Sequence, residues 1–228
     1  MIAALPDMGN VAGIGVDFLV KKLKAKLFAE LYAFWPPAVS YDVGLINYNQ
    51  SSYKFHYTEK ENLVIFSGEF NPSDPRRLFE ICYEVADMAK KLKVETLYSI
   101  GAALRQPSPV EPKIFGAATS DKLLNLLKKH KITLLDGKGQ ITGFNGLILG
   151  IALEKNIDSI CILGEIDNPN VIQPKAAQMI LSTLLQLLKV EPIDMKDLEE
   201  EEKRKKFMEQ QMHYMDNLMR KDKQPGIA

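Results

Sequence analysis

The chain has 228 residues, 46% of them hydrophobic and 25% charged, which excludes general disorder and leaves material for a substantial core. Lysine plus arginine equals aspartate plus glutamate at 29 each, so no global charge argues for nucleic acid or an anionic membrane as a partner. No segment approaches the roughly 20 apolar residues of a membrane span, and the start lacks the order of a secretory signal; a cytoplasmic protein is the expectation.

In chain order, residues 1–5 form a short apolar run, and Pro6-Asp7-Met8-Gly9-Asn10 is turn chemistry. Asn10 reads as the N-cap of a helix in which Ile14, Phe18 and Leu23 recur at helical spacing. Residues 27–33 and 53–57 read as strands, the second alternating Tyr53, Phe55 and Tyr57 with Lys54 and His56. Between them, Phe34-Trp35-Pro36-Pro37 suits neither helix nor central strand, because proline lacks the backbone donor.

A repeating unit follows. Residues 62–67 are an apolar run, as in a strand buried on both faces. They lead through Gly68-Glu69-Phe70-Asn71-Pro72-Ser73 into a helix from about Asp74 to Leu92, with a stripe of Leu78, Ile81, Cys82, Val85, Met88, Ala89 and Leu92. The same grammar predicts a strand at 96–100, a helix at 120–129, a strand at 132–135, a helix at 143–155, a strand at 159–163 and a helix at 174–188. Strands alternating with helices of this length predict a three-layer α/β/α sandwich around a mostly parallel sheet. The expected division is a core over residues 1–192 and a charged helical extension over 193–228.

The extension opens with six acidic residues in nine (194–202), followed by the basic run Lys203-Arg204-Lys205-Lys206. Glu199 with Lys203 and Glu201 with Lys205 have the spacing that supports a helix. Met208, Met212, Met215 and Met219 then keep a heptad-like spacing, with Tyr214 and Leu218 beside them. Such a seam suits a protein partner; folding back on the chain's own core is the competing reading.

Candidate chemistry is sparse. Gly9-Asn10-Val11-Ala12-Gly13 lies between a strand and a helix, where free N–H groups can receive a phosphate. Its spacing is neither GxGxxG nor GxxxxGK[ST], so a tight turn is the preferred reading. Glu69 stands at a strand end, where ligands of α/β sheets collect, although Ser73 and Asp74 serve equally as helix caps. Asn145, in Gly143-Phe144-Asn145-Gly146, can meet a ligand or close a turn, and Glu165 places a second carboxylate at a strand end that could meet Glu69. His56, His130 and His213 flank no serine or cysteine in a nucleophile pattern, and Cys82 and Cys161 have no metal-ligand spacing. No cofactor, metal or catalytic set is expected.

Taken together, these segments resemble a family pattern. Pro6-Asp7-Met8-Gly9-Asn10-Val11-Ala12-Gly13, Gly68-Glu69-Phe70-Asn71-Pro72-Ser73, Phe115-Gly116-Ala117-Ala118-Thr119-Ser120 and the stretch from Ile141-Thr142-Gly143 through Leu149-Gly150 are similar, in order, to elements of the archaeal proteasome-assembly-chaperone-type family. The likeness spans roughly residues 1–190. Asp7 departs from the family's small residue and Asn71 from its usual glutamine. The resemblance implies an α/β/α sandwich, homo-oligomers, and ATP-independent, non-enzymatic binding of proteasome subunits or unfolded chains. Some relatives dock through a hydrophobic-tyrosine-any-residue tail, whereas this sequence ends Gly226-Ile227-Ala228. The candidate partner surface is Met208, Met212, Tyr214, Met215 and Met219, and the candidate ligand loops hold Gly9, Asn10, Gly13, Glu69 and Asn145. The rival function is a small-molecule-binding or ATP-grasp-associated enzyme using those loops.

Overall fold

The computed structural model describes residues 1–32, 39–48, 52–105 and 111–221, with side chains described as far as Met212. The segment Phe34-Trp35-Pro36-Pro37 lies outside the described residues, as does the end of the chain beyond 221.

Eight strands form one sheet. Its centre is parallel: β6 (Leu63–Ser67), β1 (Ile2–Ala3), β7 (Thr96–Leu104) and β10 (Asp158–Ile166) lie side by side in that order. Beyond β6 the sheet continues antiparallel through β5 (Ser52–Thr58) to the edge strand β2 (Lys26–Tyr32). Beyond β10 comes β8 (Ile114–Ala118), antiparallel to it, and then the two-residue β9 (Thr133–Leu134). A separate hairpin pairs β3 (Ser40–Asp42) with β4 (Leu45–Asn47).

Helices cover both faces, and side-chain alternation splits the core in two. Ile2, Ala4, Ile65, Tyr98, Ile100, Ile160 and Ile162 point to one face, under α1 (Val11–Lys22), α3 (Asp121–Lys129) and α5 (Pro174–Leu188). Ala3, Leu5, Phe55, Phe66 and Leu97 point to the other, under α2 (Pro75–Lys91) and α4 (Gly143–Glu154). There Phe66 packs on Phe55 and Phe144, with ring centroids 4.9 and 5.3 Å apart. Cys82 and Cys161 are buried among apolar neighbours, and burial pushes both thiols up to about 12, so they behave as small hydrophobes.

The elements follow from their local chemistry. Proline at the first helical position opens both α2 and α5, and Asp74 caps α2 by accepting from the Arg76 and Arg77 N–H groups. The structure departs from the sequence expectation in four places. Residues 114–118, in which Gly116, Ala117 and Ala118 cut short the strand signature of Ile114 and Phe115, pair antiparallel with β10 as an additional strand, β8. The β3–β4 hairpin arises from two three-residue strands, too short for a periodic signal. Tyr57 and Leu92 are exposed and line an open cleft at the amino edge of the sheet instead of packing into the core. Finally, Asn10 adopts left-handed backbone angles (φ 51°) and makes no side-chain cap; Asp7 accepts the Ala12 N–H in its place.

The last helix, α6 (Lys196–Lys221), begins against the core. Leu198 is only 4% exposed and joins the α1–α5 core, with Ile193 and Met195 packed beside it.

Candidate functional site

The candidate residues fall in two regions. The first is the carboxyl edge of the parallel strands, where the glycine loops meet. Among the expected ligand residues, Asn10, Gly13 and Glu69 line one cleft of about 520 Å³, together with Asp7, Asp17, Ser52, Lys54 and Ser67. Gly9 and Asn145 lie outside its lining. The cleft brings three carboxylates and one ammonium together, although no three acidic, histidine or cysteine groups among the described residues converge as a metal cluster.

Much of this edge is wired to itself. Asn145 is buried, and its amide completes both backbone groups of Leu5, accepting from the Leu5 N–H at 2.8 Å and donating to the Leu5 carbonyl at 2.9 Å. Its own carbonyl accepts from the Ser99 hydroxyl at 2.7 Å. Asn71 donates to the Pro6 carbonyl and accepts the Phe144 N–H, both at 3.3 Å, so it ties the β1 exit to the start of α4. At Gly146 a Cβ would overlap the Ile141 carbonyl, which is why glycine follows Asn145. These motif residues are the joinery of the strand ends, and the Asn145 side chain is buried and held by Leu5 rather than displayed to a ligand.

Asp7 is the residue that sequence reasoning undervalued. Its carboxylate accepts the Ala12 N–H at 2.8 Å in the first turn of α1 and the Ala102 N–H at 2.6 Å on β7. The chain's own anion thus occupies the helix N-terminus, the seat a phosphate would need. Burial raises the Asp7 carboxyl to about 6, against the backbone hydrogen bonds from Ala12 and Ala102 that pull it down. Asp17 is also raised, by burial first and then by the charge of Glu69, with Lys54 opposing. Asn10 Oδ1 lies shielded from solvent without a hydrogen-bond partner. The departure of position 7 from a small residue was the signal in the sequence; its contact with Ala102, 95 residues away, was not visible there.

Glu165 does not join Glu69. It ends β10, which β1 and β7 separate from β6, on the order of 14 Å at ordinary strand spacing. It accepts the Lys113 N–H at 2.8 Å and faces Arg105 at 3.4 Å in a different cleft.

The second region is α6, and Gln173 connects it to the first. Gly9 (φ 62°) donates to the Pro169 carbonyl and accepts the Gln173 N–H, both at 2.8 Å, and a side chain at Gly9 would strike Gln173. The Gln173 side-chain carbonyl in turn accepts from Lys205 at 2.8 Å, with both side chains buried. Glu202 accepts the Lys175 N–H at the start of α5, and Glu199 accepts from Gln178 at 3.0 Å. The spaced charges of α6 are therefore used differently from the sequence expectation. Glu199 reaches α5, not Lys203, and Lys205 sits within 4.0 Å of both Glu202 and Glu209, not Glu201. Just beyond this anchor Phe207, Met208 and Met212 are 62%, 55% and 57% exposed. Phe207 was missed, although it adjoins the methionine stripe in the sequence. Tyr214, Met215 and Met219 fall on the helical stretch whose side chains lie outside the described ones.

In this chain a three-layer α/β/α sandwich has its strand ends locked together, and the exposed apolar side chains of α6 lie beyond the docked base of that helix. The chain belongs to the PAC2 family, whose model matches residues 1–213. It is 30% identical over 212 residues to the uncharacterized protein MJ1210 of Methanocaldococcus jannaschii, covering 92% of this chain and 80% of that one. The crystal structure of Pyrococcus furiosus PbaB, described as an archaeal proteasome activator, matches with a TM-score of 0.79 at 26% identity, over 94% of this chain and 93% of that chain. Pyrococcus furiosus PbaA, described as an archaeal homolog of proteasome-assembly chaperone, shares the fold at a TM-score of 0.80 and 22% identity, over 97% and 90%. Among the described residues, no helix is long and apolar enough to cross a membrane.

Proposed function

We propose that this protein acts without catalysis, as a cytoplasmic, homo-oligomeric binding protein whose α6 helices engage proteasome subunits. The observation that carries this reading is the contrast along α6: a base fixed by Leu198 and Lys205, then Phe207, Met208 and Met212 held out to solvent. Apolar side chains at i, i+4 and i+7 are what helix-in-groove recognition needs, and methionine adapts to irregular grooves. The flanking charge blocks would steer encounter and make it depend on salt. Family membership supports the choice of partner, since PbaB and PbaA are both described in terms of the proteasome. The carboxyl-edge cleft supports the non-catalytic part, because Asp7 fills the anion seat of α1 and the cleft's carboxylates outnumber Lys54.

Binding of the full chain to purified archaeal proteasome α-subunits tests the proposal. Met208→Asp with Met212→Asp should weaken that binding tenfold or more while circular dichroism stays unchanged. Undiminished binding would remove α6 from the reading. ATP at a hundred times its dissociation constant stabilises a protein that binds it by about 2.7 kcal/mol, so a clear rise in melting temperature with ATP would favour the enzyme instead.

A further inference from the structure

The β3–β4 hairpin has no use in the reading above, and its chemistry is unlike that of an ordinary surface loop. Every residue from 39 to 48 is exposed, yet six of the ten are Val39, Tyr41, Val43, Leu45, Ile46 and Tyr48, and the only charge is Asp42. Tyr41 is 78% exposed and Val43 is 99% exposed. The pairing of Tyr41 with Ile46 puts Val39, Tyr41, Ile46 and Tyr48 on one face of the hairpin, while Leu45 lies on the other, paired with Asp42. Taking on the order of 150–200 Å² for a whole large side chain, the first face alone presents roughly 500 Å², and the largest apolar patch on a typical monomer is about 300–600 Å². A partner that clasps both faces and the Val43 tip would cover roughly 800 Å², which is what each partner in a standard stable interface contributes.

The turn adds an independent observation. Val43 and Gly44 both have positive φ, 46° and 79°, in the two-residue turn that joins β3 to β4. Asparagine-glycine is the pair such a turn favours, because a β-branched residue is strained in the left-handed region. A valine there forfeits local stability to place an apolar side chain at the outermost point of the arm. Local folding does not explain that choice, but contact with a partner does.

We infer that the β3–β4 arm is a self-association element that packs against a second copy of this chain; the inference rests on the homo-oligomeric reading above. A two-stranded hairpin is at best marginal in water, so an arm this apolar calls for a partner present whenever the chain is. A second copy meets that condition, whereas an occasional client does not. Depletion of charge across residues 39–48 is likewise the composition of a permanent interface and not of a transient one.

The test is the mass of the full chain by light scattering across a dilution series. Val43→Asn restores the favoured turn pair while removing the apolar tip. It should weaken self-association about tenfold or more, with an unchanged melting temperature for the dissociated chain. Leu45→Asp with Ile46→Asp should leave a folded monomer, since these side chains take no part in either core. An arm variant that keeps the parent's mass at every dilution would overturn the arm's role and leave the homo-oligomer reading intact. A parent chain already monomeric at high concentration would overturn both. An Asp variant that stays assembled but no longer binds proteasome α-subunits would assign the arm to the partner and overturn self-association.

Discussion

The two halves of α6 differ in composition, and their surroundings are the reverse of what that composition suggests. Residues 196–206 carry most of the helix's charge, yet there Leu198 is buried in the α1–α5 core and Lys205 is buried on Gln173. From Phe207 onward the helix gains apolar residues, yet Phe207, Met208 and Met212 are exposed. Charge density is therefore a poor guide to where this chain stops being core. The base docks through one apolar side chain and a set of hydrogen bonds to α5, including Glu202 on the N–H of Lys175, which serves as a cap supplied from another element. The distal half has no such contacts among its described side chains, which frees it for a partner.

The largest effect should come from cutting the chain at two points. A chain ending after Pro192 loses Leu198 and Met195 from the core, and the polar dock with them, so it should lose several kcal/mol in urea unfolding. A chain ending after Lys206 keeps the dock and should unfold within about 0.5 kcal/mol of the parent. Equal stability of the two truncations would erase the distinction between the halves. Leu198→Ala isolates the apolar part and should cost about 3 kcal/mol, within the range for leucine truncation at a buried site. A loss near zero would show that the polar dock alone holds the base.

The parts of this structure that a sequence reader could see are those fixed by local chemistry. Pro174 and the apolar stripe behind it gave the bounds of α5 as observed, and the turn chemistry put the glycine loops at strand ends, although only Asn10, Gly13 and Glu69 of their candidate residues line one cleft. What stayed hidden depends on distant partners. Nothing near Asn145 indicates that its amide bonds Leu5, 140 residues away, or that Lys205 is buried against the side-chain carbonyl of Gln173, 32 residues away. Strand β8 was invisible for another reason: Gly116 packs where bulk is excluded, with Leu127 and Ile132 directly over it, so the middle of the strand carries no β-branched or aromatic residue. The tail was readable only as periodicity, and periodicity does not say which half of a helix is docked.

Asp7 allows the connection between the carboxyl edge and the base of α6 to be tested by pH. Its carboxyl is raised to about 6 from an ordinary 3.8, so the folded state holds its proton more tightly than the unfolded state does. The associated stability is fully present below about pH 4 and is lost as pH rises through about 6. At roughly 1.4 kcal/mol per pH unit the loss reaches about 3 kcal/mol. In Asp7→Ala this segment of the stability profile should flatten, and the loss of acceptors for Ala12 and Ala102 should lower stability throughout. A parent profile that rises between pH 4 and 6 by the amount lost in Asp7→Ala would reverse the assignment. The chain ending after Lys206 should keep the parent's slope, because Gly9, Gln173 and Lys205 remain joined in it.

The smallest effect on stability belongs to the distal half, and there the expected consequence is functional. Met208 and Met212 are more than half exposed and join neither core, so Met208→Asp and Met212→Asp should each change the unfolding free energy by no more than about 0.5 kcal/mol. A carboxylate at position 208 stands three residues after Lys205 and four after Arg204, spacings that support a helix, so in Met208→Asp helix content should hold. Binding is different, because an aspartate driven into an apolar groove must be desolvated without a partner. The pair of measurements separates the halves cleanly: Leu198→Ala should unfold more easily yet bind its partner while folded, and the Met208/Met212 pair should do the reverse. If the methionine variants destabilise the fold as strongly as Leu198→Ala does, the distal half is also packed on the core, and the partner surface has to be sought elsewhere on the molecule.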